Sequence, residues 1–346
     1  MKKSKSDHSK ANTSFQEAAT DPSVCSNMGL TELDEAEYEE FLKIMVEENP
    51  SSALAKHLCG RHEAIKEINN NNNNSLVLSP EKLQKIIDCQ KSSELLSVLK
   101  NFKIGHIQNC CVETFSRLSM DASTICLKST EFYSVWLAER ENRITASRAY
   151  SLFTYFSNKN PDWKKKSNDY FYGSSFSNDD TKYGLEQETY AREIYENLMS
   201  MEVVQCGLVI SELNPWLGCS PDGIVFENNK PFKLIEIKCP KEGKRKGIED
   251  TVKSIKWLTE EHGEVTLKSK HMYYAQIQIS MAILNLSSTD FIIYSSFDKN
   301  IKIIPVSFNE KFTKHLLITL KKVYFKKMIH NICIKQKEES EKQKKQ

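Results

Sequence analysis

Apolar positions along this chain fall into two textures that meet near residue 131. Before that point the pattern is polar and interrupted. Residues 1–30 carry no periodicity and read as disordered. TELDEAEYEEFLKIMVEE (31–48) sets Leu33, Glu37, Phe41 and Ile44 at helical spacing, with Thr31 as a cap. INNNNNNS (68–75) is a low-complexity run whose asparagine-rich part, 69–75, predicts a linker. Ser79-Pro80-Glu81 is a helix start, with serine as cap and proline in the first turn, and the helical pattern continues to about Leu99. Cys110 to Lys128 is mixed and only weakly periodic. Residues 31–130 therefore read as a mostly helical region without an assigned role.

From residue 131 on, aromatic and β-branched residues become dense. EFYSVWLAERENRITASRAYSLFTYF (131–156) predicts two helices that break near Asn142, and YGLEQETYAREIYENLM (183–199) predicts a third. VVQCGLVISE, WLGCSPDG, IVF and KLIEIKCP follow as strands across 203–240. A helix at 272–286, two strands (DFIIYSS and IKIIPVSF) and an amphipathic basic helix at 309–332 complete the order. The pattern predicts an α/β domain over 131–334, a central mixed sheet flanked by helices, with a helical extension before it and a charged tail at 335–346.

Composition narrows the partners. The chain is 346 residues long, 39% apolar and 27% charged, which is globular. A net charge of +2 gives no strong global field, so any polyanion must meet a local basic surface. No run of apolar residues is long enough to span a membrane, and MKKSKSDHSKANTS has no apolar core after its charges. The 10 cysteines include one adjacent pair, Cys110 and Cys111, but no CxxC and no Cys/His ladder of zinc-finger spacing; Cys59 and His62 make half a site. Reduced, mostly buried thiols of an intracellular protein are the expectation. The nucleus fits if the source is eukaryotic, although KRK at 244–246 is too short to serve as a nuclear signal.

Chemistry concentrates in LGCSPDGIVFENNKPFKLIEIKCP, 217–240. ENNKP (227–231) is made of turn-favouring types. A hairpin centred on Asn229 sets Phe226 opposite Phe232, Ile224 opposite Leu234 and Asp222 opposite Glu236. Facing residues of this kind have Cβ atoms about 5 Å apart, so the two carboxylates repel unless something neutralises them. Side chains alternate, so Glu236 and Lys238 share the Leu234 face while Ile235 and Ile237 take the other. A divalent ion between Asp222 and Glu236 relieves the repulsion; oxygen ligands suit Mg2+ or Mn2+, and the Ile237 backbone carbonyl is a further ligand. The bland alternative is a surface hairpin with an incidental Glu/Lys pair. Glu188 falls on the apolar stripe of its helix with Ala191, Ile194, Tyr195 and Leu198, while Glu186, Glu193 and Glu196 face away. It needs either a metal or a basic partner. Gln276 lies beside the inward face of its helix, where a core glutamine bonded to backbone is the plain alternative.

Four blocks in order carry a family resemblance: RENRITAS (140–147), YGLEQETYAREIYE (183–196), LGCSPDGIV with LIEIKCP (217–240), and YYAQIQISM (273–281). Together they resemble the YqaJ-type viral recombinases, which include the phage lambda-type exonucleases. The resemblance spans roughly 131–300 and implies a PD-(D/E)xK, restriction-endonuclease-like core. It implies that Asp222, Glu236 and Glu188 hold one or two Mg2+ ions, that Lys238 is the catalytic lysine, and that Gln276 is the glutamine of the Y-x-A-Q-x-Q block. Arg140 matches the arginine that holds the 5′-phosphate of a DNA end, and Ser147 joins it. Where phage relatives carry a glycine in this approach, this chain has Asn142 or Arg143, a departure that bears on the phosphate contacts and not on the metal site.

The implied activity is Mg-dependent hydrolysis of DNA, as a 5′-to-3′ exonuclease on double-stranded ends in recombination or repair. An endonuclease of the same fold is one alternative, and a non-catalytic DNA-binding or recombination module another; filled catalytic positions speak against the latter. Ring-shaped homo-oligomers and a single-strand annealing partner follow from the resemblance alone. KEGKRKG (241–247), WKKK (163–166) and the lysines of the last helix (Lys321, Lys322, Lys326, Lys327) are either backbone contacts for DNA or solvated charge.

Overall fold

The Ser79 hydroxyl accepts the Lys82 N–H and opens helix α1 (Pro80–Lys91), with Pro80 in the first turn where its missing N–H costs nothing. Ser92 and Ser93 end this helix and cap the next, so the expected single helix is two. The computed structural model describes residues 78–118, 121–173 and 179–343; the expected disordered N-terminus, the helix at 31–48 and the asparagine run lie outside them.

α2 (Glu94–Asn101), α3 (Asn109–Ser116), α4 (Ala122–Glu131) and α5 (Tyr133–Arg140) follow. Then come β1 (Ile144–Thr145), α6 (Ala146–Tyr155), α7 (Trp163–Tyr172) and the long α8 (Asp179–Met199). β2 (Glu202–Val204), β3 (Val209–Ile210), β4 (Leu217–Cys219), β5 (Gly223–Glu227) and β6 (Lys230–Lys238) lead to α9 (Ile248–Ser254). β7 (Leu258–Glu261), β8 (Glu264–Leu267), α10 (Met272–Leu284), β9 (Ser288–Ser295), β10 (Asn300–Ser307), α11 (Glu310–Val323) and α12 (Ile329–Gln343) complete the chain. A π-turn (Tyr324–Met328) joins the last two.

Five strands form a mixed sheet in the order β10-β9-β6-β5-β2. Its centre, β6 on β9, is parallel, and the other pairs are antiparallel. The expected central mixed sheet flanked by helices is the architecture observed. β1, β4 and β3 form a separate three-stranded sheet, so the expected single strand over 203–212 is two strands in two sheets.

Strand alternation sorts the core into two faces. Val225, Ile235, Ile237, Ile292 and Tyr294 pack with Ala191 and Tyr195 of α8. Ile224, Leu234, Phe291 and Ile293 join the larger core, which holds nearly all of α10 and also Leu83, Ile86, Leu96 and Ile125 of the first helices. Each such fully buried aliphatic side chain contributes about 1.5–3 kcal/mol. The weakly periodic Cys110–Lys128 segment is helical because that core covers it: Cys111, Ile125 and Cys126 are buried. Leu198 stands outside the stripe expected of α8, 64% exposed, and the helix of the C-terminal segment runs past Ile334 to Gln343.

Candidate active site

Asn228 and Asn229 both take positive φ, 49° and 60°, which asparagine tolerates, and close the β5–β6 hairpin as a two-residue turn. That turn pairs Phe226 with Pro231, not with Phe232 as expected. A bulge between Val225 and Phe226 then shifts the register, and Val225↔Lys233, Ile224↔Leu234 and Gly223↔Ile235 follow the expected pairing. β5 ends there while β6 continues to Lys238, so β6 extends beyond its partner's backbone.

Asp222 fills that place. Its Oδ2 accepts the Ile237 N–H at 2.7 Å, replacing the missing strand partner. Because N–H and C=O of one strand residue point to the same edge, the Ile237 carbonyl opens on the Asp222 side as well. Glu236, 3% exposed, points to the α10 face. Its Oε1 accepts Lys238 Nζ at 2.5 Å and Gln276 Nε2 at 2.6 Å. Gln276 is thus bonded to a carboxylate, whereas Gln278 is the core glutamine that bonds backbone, donating to the Ser307 carbonyl and accepting the Asn309 N–H. Lys238 Nζ also lies 4.9 Å from the centre of the Tyr273 ring.

Burial, and after it the Asp222 charge, push the Glu236 carboxyl up to about 8; Lys238 opposes this and Glu188 adds to it. Burial works against the Lys238 charge, yet Glu236 and Asp222 hold its ammonium well above the usual lysine range. Three carboxylates and one ammonium therefore share one field.

Glu188 reaches this field from α8. Its Oε1 accepts Arg192 NH2 at 2.5 Å, and Arg192 Nε donates to the Asp222 carbonyl at 3.2 Å. Arg192, 6% exposed, thus links α8 to the Asp222 loop. Sequence reasoning did not single it out, although it stands four residues after Glu188, between the inward Ala191 and Tyr195. Glu196, expected to face away, is half-buried and accepts the Val203 N–H.

Arg140 and Ser147 also meet. Arg140 NH2 donates to Ser147 Oγ at 3.5 Å, and its guanidinium stacks 3.8 Å from the Trp136 ring centre. Trp136 Nε1 donates to Ser220 Oγ at 2.9 Å, two residues before Asp222, which ties this pair to the acidic loop. Asn142 has φ 64°, so it takes the left-handed conformation that a glycine would supply. Arg143 is only 2% exposed and bonded to Glu139 and the Pro215 carbonyl, a structural role.

The basic stretches divide. Ser147 lines a cleft of about 310 Å³ with Arg148, Lys166 and Tyr150, so WKKK contributes one lysine beside the Arg140 contact. Lys244 of KEGKRKG stacks 4.2 Å from the Tyr183 ring centre. Lys321 is buried and donates to the Leu99 and Lys100 carbonyls, capping α2 rather than facing solvent.

Residues 135–290 match the model of the YqaJ-like viral recombinase domain. All seven side chains expected at the site fall within that range. The chain is similar to LHK-Exo, an alkaline exonuclease from Laribacter hongkongensis, at 22% identity over 60% of this chain and 98% of that one, with a TM-score of 0.45. It is also similar to a phage related exonuclease from Haemophilus somnus 129PT (10% identity, 55% and 96% coverage, TM-score 0.36). A third similarity is to SOX in the KSHV SOX RNA complex (13% identity, 63% and 74% coverage, TM-score 0.37). No curated protein matches the chain.

Proposed function

We propose that this chain, whose residues 135–290 match the YqaJ-like viral recombinase domain, is a metal-dependent nuclease that hydrolyses DNA from duplex ends in the 5′-to-3′ direction. The observation that carries this reading is the convergence at the end of β6: Glu236 buried under Lys238 and Gln276, with Asp222 bonded to the next backbone N–H.

The donor set fits a hard divalent ion. Asp222 uses Oδ2 and Glu236 uses Oε1 in the bonds described, which leaves Oδ1 and Oε2 for a cation. The raised Glu236 carboxyl reflects its burial first and then the Asp222 and Glu188 charges, and such an ion offsets both. Asp222, Glu236, the Ile237 carbonyl and Glu188 would hold Mg2+ or Mn2+, one ion or two. When bound, the ion polarises the phosphoryl oxygen and lowers the pKa of the attacking water.

The chain's own groups do the rest. Lys238 orients the water and stabilises the charge that develops on the phosphate. Gln276 fixes the Glu236 carboxylate, and Arg192 holds the Asp222 loop against α8. Arg140, kept in place by Trp136 and Ser147, takes the 5′-phosphate of the DNA end, a bidentate task suited to a guanidinium. Lys166 and Arg148, beside Ser147, contact the DNA backbone.

A duplex labelled at one 5′ end or one 3′ end tests polarity. The expected result is early release of the 5′ label as a mononucleotide in Mg2+, faster from 5′-phosphorylated than from 5′-hydroxyl ends. Early release of the 3′ label, or cutting of a closed circle, overturns the direction.

A further inference from the structure

Two helices far apart in sequence bring four metal-type donors together away from the acidic site. Cys110 and Cys111 lie in the first turn of α3, and His330 and Cys333 lie one turn apart on α12. Their donor atoms all lie within 4.8 Å of one another. His330 Nδ1 is 3.6 Å from both Cys110 Sγ and Cys111 Sγ. Cys111 Sγ is 4.0 Å from Cys110 Sγ and 3.7 Å from Cys333 Sγ.

A tetrahedral ion with Zn–S of about 2.3 Å and Zn–N of about 2.0–2.1 Å sets sulfurs about 3.8 Å apart and sulfur and nitrogen about 3.6 Å apart. Four of the six separations, 3.6–4.0 Å, are close to those of one mononuclear site, and the other two are within 4.8 Å. Three soft thiolates and an imidazole select zinc over magnesium. We propose that Cys110, Cys111, His330 and Cys333 form a structural Cys3His zinc site.

Local structure favours it. Cys110 and Cys111 are adjacent in the first turn of α3, so one short segment supplies two sulfurs. His330 and Cys333 are three residues apart and so share a face. The π-turn before α12 changes the helical phase of everything after it, which sets that face toward α3. A disulfide explains the cluster less well: Cys111 and Cys333 are free thiols 3.7 Å apart, and a bond between them gives His330 no reason to face two sulfurs. Cys111 and Cys333 are 222 residues apart, so the ion staples the helices before the YqaJ-like region to the last helix after it. Such a closure stabilises by restricting the unfolded chain.

The test uses the full chain, purified under reducing conditions, loaded with zinc, dialysed and assayed by mass spectrometry of the metal. About one zinc per chain is expected, and a cobalt-loaded sample should show tetrahedral d–d and thiolate-to-cobalt bands. Cys333→Ser should lose the zinc. His330 is exposed, so His330→Ala should fold and bind zinc at least ~10-fold more weakly in a chelator competition. Cys89→Ser, outside the cluster, should keep the metal. The proposal is overturned if the wild-type chain holds no zinc, if both cluster variants bind it like wild type, or if zinc-loaded protein carries a Cys111–Cys333 disulfide. Zinc content is read independently of DNA cleavage, so this test stands apart from the nuclease reading.

Discussion

Replacing Lys238 by methionine keeps the side-chain stem and removes the ammonium that lies 2.5 Å from Glu236 Oε1. Two opposed effects follow. Charge that develops on the scissile phosphate loses the cationic side chain assigned to it; loss of one such preorganised donor costs about 2.7–4 kcal/mol, or roughly 10²–10³ in kcat. The metal site, in contrast, loses a competitor, because Lys238 and the ion both claim the Glu236 carboxylate. Stability of the metal-free protein falls by about 1–2 kcal/mol, below the figure for a fully buried pair because the Lys238 side chain keeps 21% of its exposure. Single-turnover cleavage of a 5′-phosphorylated duplex gives the rate, a magnesium titration gives the metal midpoint, and anisotropy in Ca2+ gives DNA affinity. The expected outcome is a rate lower by roughly 10²–10³ with DNA affinity within about threefold and a magnesium midpoint unchanged or lower. A variant that cuts within about threefold of wild type, or that needs far more magnesium, refutes the role given to Lys238.

Gln276→Ala removes a donor to a buried carboxylate and should lower cleavage by about 1.5–3 kcal/mol of barrier, roughly ten- to hundredfold in the same assay. Gly223→Ala places a Cβ 2.4 Å from Val203 Cγ1 and 2.9 Å from Ile235, next to Asp222; thermal unfolding should show about 1–3 kcal/mol of destabilisation together with reduced cleavage. Arg140→Ala should abolish the preference for 5′-phosphorylated over 5′-hydroxyl ends while leaving the melting temperature nearly unchanged. Arg143→Ala should instead lower the melting temperature, because that buried guanidinium bonds Glu139 and the Pro215 carbonyl.

The parts of the site that depend on strand period were legible in the sequence. Alternation alone separates Glu236 and Lys238 from Ile235 and Ile237, and the structure packs those two isoleucines against α8. Turn detail was not legible: the two-residue Asn228–Asn229 turn misplaces Phe226 by one position, and only the bulge restores the pairing nearer Asp222. Of the two alternatives read from its stripe, Glu188 takes the basic partner, Arg192, and its charge also raises the Glu236 carboxyl. The Cys110–Cys111–His330–Cys333 cluster escaped because its two halves lie on opposite sides of the α/β core in sequence: His330 and Cys333 have the spacing of half a site, as Cys59 and His62 do, but nothing local marks the adjacent pair Cys110 and Cys111 as its complement. Helices α3 and α4 escaped for a related reason: they are short, and burial against a distant core, rather than their own period, makes them helical.

The nuclease reading rests on a metal-dependent centre formed by the acids and lysine at the end of β6. Incubating the full chain with linear duplex DNA, in Mg2+ and in EDTA, beside an Asp222→Asn variant, tests it most directly. The expected result is progressive loss of the linear duplex in Mg2+, none in EDTA and none with the variant. Intact DNA in Mg2+, or equal cleavage by wild type and variant, contradicts it.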